Sequence, residues 1–403
     1  HQSKQFVNNK LRYKTEVLRD YEVEILNDTG TMEPDENNQQ RSNYNYSCLN
    51  QIDEEFLHKL QSERVQHLYL KRNLLTSLPQ DIWKLSNLIE LCLQNNQITE
   101  LPDSIGDLHN LEILDVRDNH LTALPGRVGN ITSLKKLQIS NNKIKKLPKE
   151  IGNLKNLTTL EALKNELSYI PLQLVSCENL TILSLDRNFL QTLPRQLCQL
   201  RSLTEVTACA NRLISLPQTI GEMMSLKSLY VDNNPSLMSL PASTFSRQIG
   251  FNSCATVEPS HEIIEKLCTV CVRRTKSDLS TIVLPPEIRS VGDLGKNNIP
   301  SLLELSFRTA YQNQNQTGKI DVELPRYLED LLSVPTGHCQ CCRKKVFVMA
   351  FPVVFHAQIK GIGLFLLGLC CSTKCVRTTS LQVNLTLLYP YPEDLSLAIV
   401  PIN

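Results

Sequence analysis

The sequence predicts an α/β solenoid, in which short parallel strands stack into one sheet and short helices lie on the opposite side. Three observations predict it: apolar residues recur with a constant period of 23 residues, apolar and polar residues alternate within each period, and each period holds one asparagine at a fixed place. Constant periods of about 20 to 50 residues are typical of proteins that stack one supersecondary unit on the next. The first position of the period occurs eight times, at Val65, Leu88, Leu111, Leu134, Leu157, Leu180, Leu203 and Leu226.

Each period has the pattern L-x-x-L-x-L-x-x-N-x-L-x-x-L-P, filled in the third period by Leu111, Leu114, Val116, Asn119, Leu121, Leu124 and Pro125. This is the pattern of the leucine-rich repeat. Apolar residues at the fourth and sixth positions alternate with polar ones, which predicts a short strand with one buried face. The asparagine at the ninth position is expected to bond backbone groups that the following turn leaves unpaired. Apolar pairs such as Ile82 and Leu85 then indicate a short convex helix. We therefore expect a leucine-rich repeat solenoid, a horseshoe with parallel strands on its concave face.

Composition and periodicity divide the chain into seven segments. We expect a disordered N-terminal extension (1–50), a helical N-terminal cap (51–64), the solenoid of eight repeats (65–246), an irregular flank and linker (247–299), a helical segment (300–332), a cysteine-rich module (333–380) and a tail (381–403). The extension is polar, and such a composition does not favour a packed core. A cap is expected because an end repeat cannot bury its apolar edge alone.

Parallel strands on the concave side present the polar positions of each repeat to solvent, which is where solenoids usually bind. The candidate partner-binding residues at these positions are Tyr69, Lys71, Arg117, Glu161, Leu163, Asp186, Tyr230 and Asp232. The alternative is an ordinary solvated surface. No column of positions carries a run of one charge, and the net charge is only +1, so the sequence does not predict nucleic-acid binding.

The helical segment 300–332 carries a second candidate site. Leu302, Ser306 and Ala310 recur every fourth residue, and Leu324-Pro325 follows after a polar stretch. This arrangement resembles the suppressor-of-cytokine-signalling box, which implies docking of Elongin and a cullin by a helix in a groove. The alternative is that these helices pack on the last repeat as a cap.

Cysteines cluster near the C-terminus in two pairs. Cys339-x-x-Cys342 and Cys371-x-x-x-Cys375 are separated by 28 residues. Four thiolates in two close pairs can surround zinc as a tetrahedron, and a site filled by four protein ligands is structural rather than catalytic. We expect a zinc-ribbon-like module here, with Cys341, Cys370 and His338 as further candidate ligands. The alternative is reduced, buried cysteines without a metal.

The repeats and the tail together resemble the leucine-rich repeat-containing protein 28 family, from about Arg64 to Leu381. The resemblance is carried by Asp186-Arg187-Asn188 through Leu200, by Val231-Asp232-Asn233-Asn234 through Pro241, and by the tail motifs Leu324-Pro325-Arg326, Gly337-His338-Cys339, Cys342, Cys370-Cys371-Ser372-Thr373 and Cys375. It implies that Cys339, Cys342, Cys370, Cys371 and Cys375 are family positions, whereas Cys341 is not. The family also has a Cys-x-x-Cys after the last repeat, where this chain has Phe251 and Cys254.

Catalytic motifs are absent from the sequence: there is no glycine-rich phosphate loop, no Gly-x-Ser-x-Gly and no His-Glu-x-x-His. The longest uninterrupted stretch of the most apolar tract, Gly361 to Cys371, has 11 residues, whereas a membrane helix needs about 20. The first 26 residues hold no apolar signal segment, so we expect an intracellular, cytoplasmic protein with reduced thiols.

These observations predict a non-enzymatic module that binds a protein partner on the concave face of its repeats. One alternative is a substrate receptor of a cullin-RING ubiquitin ligase that docks Elongin through residues 300–332. A further alternative, a scaffold for small GTPases, depends only on similarity between 23-residue repeats. The partner and the oligomeric state are left open.

Overall fold

The repeats form the predicted solenoid. The computed structural model describes residues 40–244, 248–250, 267, 269–273, 279–291, 300–317, 326–359 and 362–383. Among these residues, ten short strands form one sheet in the order β1 to β9 followed by β11. The strands are β1 (Arg41–Asn43), β2 (His67–Tyr69), β3 (Glu90–Cys92), β4 (Ile113–Asp115), β5 (Lys136–Gln138), β6 (Thr159–Glu161), β7 (Ile182–Ser184), β8 (Glu205–Thr207), β9 (Ser228–Tyr230) and β11 (Gln248–Gly250).

The sheet keeps the register that the period predicts. Leu68 of β2 pairs with Leu91 of β3, and Leu91 in turn pairs with Leu114 of β4. All three central leucines are fully buried. Because every strand from β2 to β9 is parallel to the next and shifted by one whole period, equivalent residues form straight columns across the sheet. The leucine columns build a continuous apolar core along the stack.

The connections on the opposite side are 3₁₀ helices. They span Gln80–Lys84, Asp103–Asp107, Gly126–Asn130, Lys149–Asn153, Leu172–Ser176, Arg195–Gln199, Ile220–Glu222 and Ala242–Thr244. Each of the first six helices follows a proline, which fixes one backbone angle. Each of these six helices is only five residues long. Such short segments suit the tighter 3₁₀ geometry. Gly106 allows these helices to stack closely, because a Cβ there would overlap the carbonyl oxygen of Arg127.

Asparagines at the ninth position join each repeat to its neighbour, as predicted. The Oδ1 of Asn119 accepts a hydrogen bond from the backbone N–H of Ile98 at 2.9 Å, and its Nδ2 donates to the carbonyl oxygens of Leu93 at 2.9 Å and Val116 at 3.1 Å. The same accept-and-donate pattern repeats at Asn73, Asn96, Asn142, Asn165, Asn188, Asn211 and Asn234. One residue earlier, every repeat adopts a positive φ, from Arg72 to Asn233. The asparagine amides thus make hydrogen bonds with backbone N–H and carbonyl groups around this left-handed turn.

The N-terminal end is covered by helix α1 (Glu54–Ser62) and by the residues before it. The Asp53 side chain caps α1 by accepting from the N–H of Phe56 at 2.8 Å, and Leu57 and Leu60 enter the core. Residues 42–50, which we assigned to a disordered extension, contact the first repeat instead. The N–H of Tyr44 donates to the carbonyl of Tyr69 at 2.8 Å. Main-chain pairing along an open strand needs no repeat pattern, so it could not be predicted from the periodicity.

The flank that we expected to be irregular contains strands. β10 (Ser239–Pro241) lies outside the repeat sheet, β11 extends that sheet beside β9, and β12 (Thr269–Arg273) pairs with β13 (Leu279–Val283). Further along are β14 (Ser290–Val291), α2 (Leu302–Thr317), α3 (Arg326–Ser333), β15 (Gly337–His338), β16 (Lys345–Val346), β17 (Met349–Ile359), β18 (Ile362–Cys370) and α4 (Thr373–Val383). We call the described residues 279–383 the C-terminal module.

The module closes the stack of repeats. β10 pairs in parallel with β18, within a four-stranded sheet of order β10-β18-β17-β14. Leu366 of β18 belongs to the apolar core of the repeats, and Met238 of the last repeat belongs to the core of the module. Gly337 allows β15 to pack directly on the repeats, since a Cβ there would lie 3.1 Å from the Cβ of Gln218.

A buried carboxylate holds α2 in the module. Glu304 is fully buried, and its side chain accepts hydrogen bonds from the backbone N–H groups of Phe347, Val348 and Met349 at 2.7–3.1 Å. Arg308 supplies the compensating positive charge at 2.9 Å. Charge-assisted bonds of this kind are roughly twice as strong as neutral ones. Of the helices that the structure describes, none is long and apolar enough to cross a membrane.

We predict that Asn119→Ala lowers the free energy of unfolding by at least about 2 kcal/mol, because the buried backbone groups of Leu93, Ile98 and Val116 each lose a partner. Urea denaturation measures this. Asn110→Ala is the matched control, because its amide makes one exposed bond to Ser86, and it should change stability by no more than about 0.5 kcal/mol. Equal losses in the two variants would contradict the role of the asparagine column.

Candidate metal centre and strand face

The four cysteines of the two predicted pairs come together in the C-terminal module. Cys339 and Cys342 lie in the turn between β15 and β16, Cys371 follows β18, and Cys375 lies in the first turn of α4. Their four Sγ atoms all lie within 4.8 Å of one another. The Sγ atoms of Cys342 and Cys371 are 3.4 Å apart, and those of Cys371 and Cys375 are 3.6 Å apart. A tetrahedron with zinc–sulfur bonds of about 2.3 Å has edges of about 3.8 Å, so the spacing fits a metal ion.

Backbone donors surround one thiol of this cluster. The N–H of Cys371 donates to the Sγ of Cys339 at 3.4 Å. The hydrogen bond from Cys370, followed by the backbone N–H groups of Cys342, Cys371 and Cys341, holds the pKa of Cys339 below its usual value. Burial raises the pKa of Cys371 and that of Cys342. A bound metal ion would be held by all four cysteines as thiolates.

The further candidate ligands lie outside this quartet. The thiol of Cys370 lies 3.6 Å from the hydroxyl of Thr379. The Nδ1 of His338 lies 2.8 Å from Glu222, which is in the 3₁₀ helix Ile220–Glu222 of repeat seven. Within the part of the chain that the structure describes, the four-cysteine group is the one cluster of side chains that can hold a metal ion. Phe251 and Cys254 lie outside the described residues.

We call the surface formed by the third, fifth and seventh positions of the repeats the strand face. We expected these positions to be open to solvent, but many of them are not. Asp115, Gln138 and Thr207 are buried, and so is Lys71. The reason is the spacing of the sheet: neighbouring strands lie about 4.8 Å apart, so side chains in one column cover each other.

The predicted anchors at the N-terminal end of the strand face bind their own neighbours. The hydroxyl of Tyr69 donates to Glu90 at 2.8 Å, and His67 contacts the same carboxylate at 3.0 Å. Arg117 makes a forked contact with Asp115 at 2.8–3.2 Å. Tyr69 and His67 thus pair with the neighbouring strand, whereas Arg117 pairs within its own repeat.

The other half of the strand face is acidic. In repeats five to eight, the third, fifth and seventh positions carry four carboxylates and no lysine or arginine: Glu161, Asp186, Glu205 and Asp232. Burial raises the pKa of Asp186, and burial together with the charge of Asp186 raises the pKa of Glu205. We call these four residues with Leu163 and Tyr230 the acidic patch. Glu205 was not among the predicted site residues, although it occupies the third position of repeat seven, which the repeat pattern places on the strand face.

The acidic patch is ordered by its own contacts. Asp186 accepts a hydrogen bond from the backbone N–H of Cys209 at 2.6 Å. Glu161 accepts from the side-chain amide of Gln138 at 2.8 Å, and Lys136 lies 4.0 Å away. Leu163 is half-buried beside them. The patch therefore presents fixed carboxylates around an apolar side chain.

The three predicted docking residues of α2 do not share one environment. Leu302 is 81% exposed and Ser306 is exposed, whereas Ala310 is half-buried against the core that contains Phe347. Leu303 and Leu305 are also exposed. Leu324 and Pro325 lie outside the described residues.

A comparison with protein families identifies the repeats. The family model described as "Leucine-rich repeat region" matches residues 44–143 and 126–234. Residues 44–234 are a leucine-rich repeat region. The match begins before the first predicted repeat, in agreement with the contacts of residues 42–50.

Solved structures of leucine-rich repeat proteins are also similar to this chain. The Leptospira interrogans protein LIC12759 is 24% identical over 51% of this chain and 77% of its own, with a TM-score of 0.30. The plant peptide hormone receptor RGFR1, in complex with RGF2, is 25% identical over 49% of this chain and 36% of its own (TM-score 0.40). The ectodomain of GASSHO1/SCHENGEN3 from Arabidopsis thaliana, in complex with CASPARIAN STRIP INTEGRITY FACTOR 2, is 21% identical over 47% and 31% (TM-score 0.36). The chain thus spans about a third of the two plant receptor chains.

Three thiols inside the leucine-rich repeat region, those of Cys92, Cys177 and Cys198, are poor nucleophiles. Burial raises the pKa of Cys177 to about 11 and that of Cys198 to about 12. Burial and the nearby carboxylates Glu90 and Asp115 raise the pKa of Cys92 further still. Because the thiolate is the nucleophile, these groups stay protonated and unreactive at neutral pH. What the repeats offer is a surface for binding.

Proposed function

We propose that this chain is a non-enzymatic, cytoplasmic protein-interaction module that binds the basic segment of a protein partner at the acidic patch. The observation that carries the proposal is the crowding of four carboxylates on repeats five to eight, with raised pKa values at Asp186 and Glu205. Leucine-rich repeat domains generally mediate protein–protein interactions, and the two plant receptors were solved as complexes.

Charge and shape both favour a basic partner. Carboxylates that repel each other on a half-buried surface are stabilised when a lysine or arginine approaches. Such complementarity of charge also determines which partner binds. Leu163 and Tyr230 supply the apolar and aromatic contacts that usually contribute most binding energy. Lys164 and Arg187 occupy the eighth positions of repeats five and six, next in sequence to Leu163 and Asp186 of the patch.

We propose that the four-cysteine cluster holds a structural zinc ion. The donor set supports this, because four sulfur ligands in two close pairs are typical of closed zinc sites. The bound ion would tie the turn of Cys339 and Cys342 to the start of α4. The tail cysteines also support membership of the leucine-rich repeat-containing protein 28 family. Eleven of the described cysteines are free thiols, which suits a cytoplasmic location.

A second candidate function is that of a ubiquitin-ligase substrate receptor. The observation that favours it is the 81% exposure of Leu302 on a helix that Glu304 anchors firmly to the module. An exposed leucine on a rigid helix is the feature that docking into a groove of Elongin requires. In this alternative the acidic patch would hold the substrate.

We predict that Glu205→Lys reduces capture of the basic partner at least tenfold, because like charges placed together in an interface cost several kcal/mol. Affinity purification of the full chain with quantitative mass spectrometry measures this. The fold should be unharmed, since the change removes repulsion with Asp186. Glu178→Lys, an exposed reversal away from the strand face, is the control. Partners recovered equally with both variants would contradict the proposal.

For the metal site, we expect about one zinc per chain by elemental analysis after metal-replete expression, with loss of the metal in Cys339→Ser. Removal of the ion by a chelator should lower the unfolding temperature. Cys48→Ser is the matched control, because Cys48 is an exposed thiol outside the cluster. Less than about a tenth of an equivalent of zinc in the unaltered protein would exclude this assignment.

For the receptor alternative, Leu302→Ala should abolish co-purification of Elongin. The thermal midpoint should change by less than about 2 °C, because the side chain is largely exposed. Gln312→Ala, an exposed position on the same helix, should retain Elongin. If the unaltered chain recovers neither Elongin nor a cullin, the alternative is wrong.

A further inference from the structure

The residues that follow each strand form a second surface along the repeats, beside the strand face. Each strand occupies the third to fifth positions of its repeat, as Lys136–Gln138 does, and the chain then passes the left-handed turn at the eighth position. After the turn, the N–H of Phe189 donates to the carbonyl of Leu167 in the preceding repeat at 2.9 Å. Arg212 donates to Leu190 in the same way, also at 2.9 Å. Backbone bonds therefore hold this surface in the register of the strands.

In repeats four to seven this surface is strongly basic. The eighth, tenth, twelfth and thirteenth positions carry six cations there: Lys143, Lys145, Lys146, Lys164, Arg187 and Arg212. All six side chains are exposed. One carboxylate, that of the half-buried Glu166, occupies the same set of positions. In repeats one to three these positions hold a single arginine, Arg72, against the acids Glu100 and Asp118. The excess of positive charge is thus confined to repeats four to seven.

Two exposed aromatic rings lie among these cations. Tyr169 is 46% exposed and Phe189 is 42% exposed. The guanidinium of Arg212 lies over the ring of Phe189, 4.4 Å from its centre, and the ammonium of Lys146 lies 5.9 Å from the centre of the Tyr169 ring. Such a contact orders the cation through its charge, so its N–H donors stay available for an anionic group. We call the six cations and these two rings the basic edge.

The cations of the basic edge form no salt bridge with any carboxylate that the structure describes. Burial raises the pKa of Asp186, and the charge of Arg187, the next residue, acts in the opposite direction. Arg187 therefore marks the place where the basic edge meets the acidic patch. Exposed like charges on one surface attract an anionic partner and raise its rate of association.

Two features favour an acidic protein segment over a nucleic acid or an anionic membrane. Surfaces that bind single-stranded nucleic acid stack bases on open aromatic rings, but both rings of the basic edge already hold cations. The acidic patch also adjoins the basic edge along repeats five to seven. Its carboxylates would repel a long polyanion or a broad anionic surface, whereas a peptide can confine its negative charge to a few residues.

The dimensions and the donors of the basic edge suit such a segment. Repeats four and seven are three strand spacings apart, about 14 Å, and an extended segment of about four to five residues spans that distance. Arginine binds a carboxylate through two parallel hydrogen bonds, and the basic edge has one arginine in each of repeats six and seven. The exposed ring of Phe189 supplies an aromatic contact between them, of the kind that contributes much of the binding energy in interfaces.

We propose that the basic edge binds an acidic segment of a protein partner, whose aspartate or glutamate side chains pair with Lys145, Lys146 and Arg212. This site is separate from the acidic patch and does not depend on it, because the two surfaces select charges of opposite sign.

The test uses the full chain and a short dye-labelled peptide of alternating aspartate and glutamate, with binding measured by fluorescence anisotropy. The same peptide with asparagine and glutamine in place of the acids is the control for charge. Unlabelled oligouridylate of equal charge and vesicles that contain phosphatidylserine serve as competitors. The acidic peptide should bind saturably and more tightly than either competitor, and its affinity should fall as the salt concentration rises.

Lys145→Glu combined with Lys146→Glu should weaken binding of the acidic peptide at least tenfold, because two attractions become repulsions. Lys155→Glu combined with Arg201→Glu is the matched control. These two residues are exposed at the twenty-second positions of repeats four and six, outside the basic edge, and their substitution changes the net charge by the same amount. The thermal midpoint should change by less than about 2 °C in both double variants, because all four positions are exposed.

Phe189→Leu gives a second comparison that leaves the charge unchanged. It keeps an apolar side chain but removes the ring under Arg212, so binding should weaken about two- to fivefold.

Loss of binding in the lysine variant, with retention in its matched control, supports the proposal. Equal loss in the two double variants overturns it, because net charge alone would then explain the attraction. Tighter binding of the oligouridylate or of the vesicles overturns it in favour of a nucleic acid or a membrane. The proposal is also wrong if the acidic peptide does not bind saturably, if the uncharged peptide binds equally well, or if neither the lysine variant nor Phe189→Leu changes the affinity.

Discussion

The structure depends on one side-chain amide per repeat. After each strand the chain turns through a left-handed residue, and the turn leaves an N–H and carbonyl groups buried between two repeats. The asparagine amide accepts one hydrogen bond and donates more than one, so a single side chain pairs both the N–H and the carbonyl groups. Aspartate has no donor and serine has only one. Because each amide reaches into the preceding repeat, as Asn119 does to Leu93 and Ile98, the column also fixes the register. The straight columns of the strand face, and with them the acidic patch, follow from this constraint.

The same constraint explains where the repeats stop. The final asparagine, Asn234, is followed by Pro235, and the following Leu-Pro comes one residue later than in other repeats. β10 is formed by this shifted Leu-Pro segment and pairs with β18. An open end would expose unpaired backbone and apolar side chains. Here Leu366 completes the core of the repeats, and the module serves as their cap. Met238 of the last repeat in turn belongs to the core of the module, so each part contributes a side chain to the core of the other.

Local periodicity made the repeats predictable, because each apolar position has the same role in every repeat. The cysteine quartet was predictable for a similar reason, since ligand pairs close in sequence mark a metal site. Glu304 gave no such signal. Its backbone partners lie 43 to 45 residues further along the chain, and an isolated acid on a helix normally indicates a solvated face. The burial of the strand face was also missed, because strand alternation shows which way a side chain points but not how closely its neighbours cover it.

The acidic patch and the cysteine cluster are separable for a physical reason. The acidic patch is built entirely by strands of the leucine-rich repeat region, whose register the asparagines maintain. The cysteine cluster lies in the module that covers the end of the repeats. Glu222 joins the two parts, through contacts of 2.8 Å with both His338 and Arg343, and these residues flank the cysteine pair. Loosening the cysteine cluster would therefore disturb the contact of the cap with the repeats before it disturbed the strand face, and the acidic patch would keep its shape.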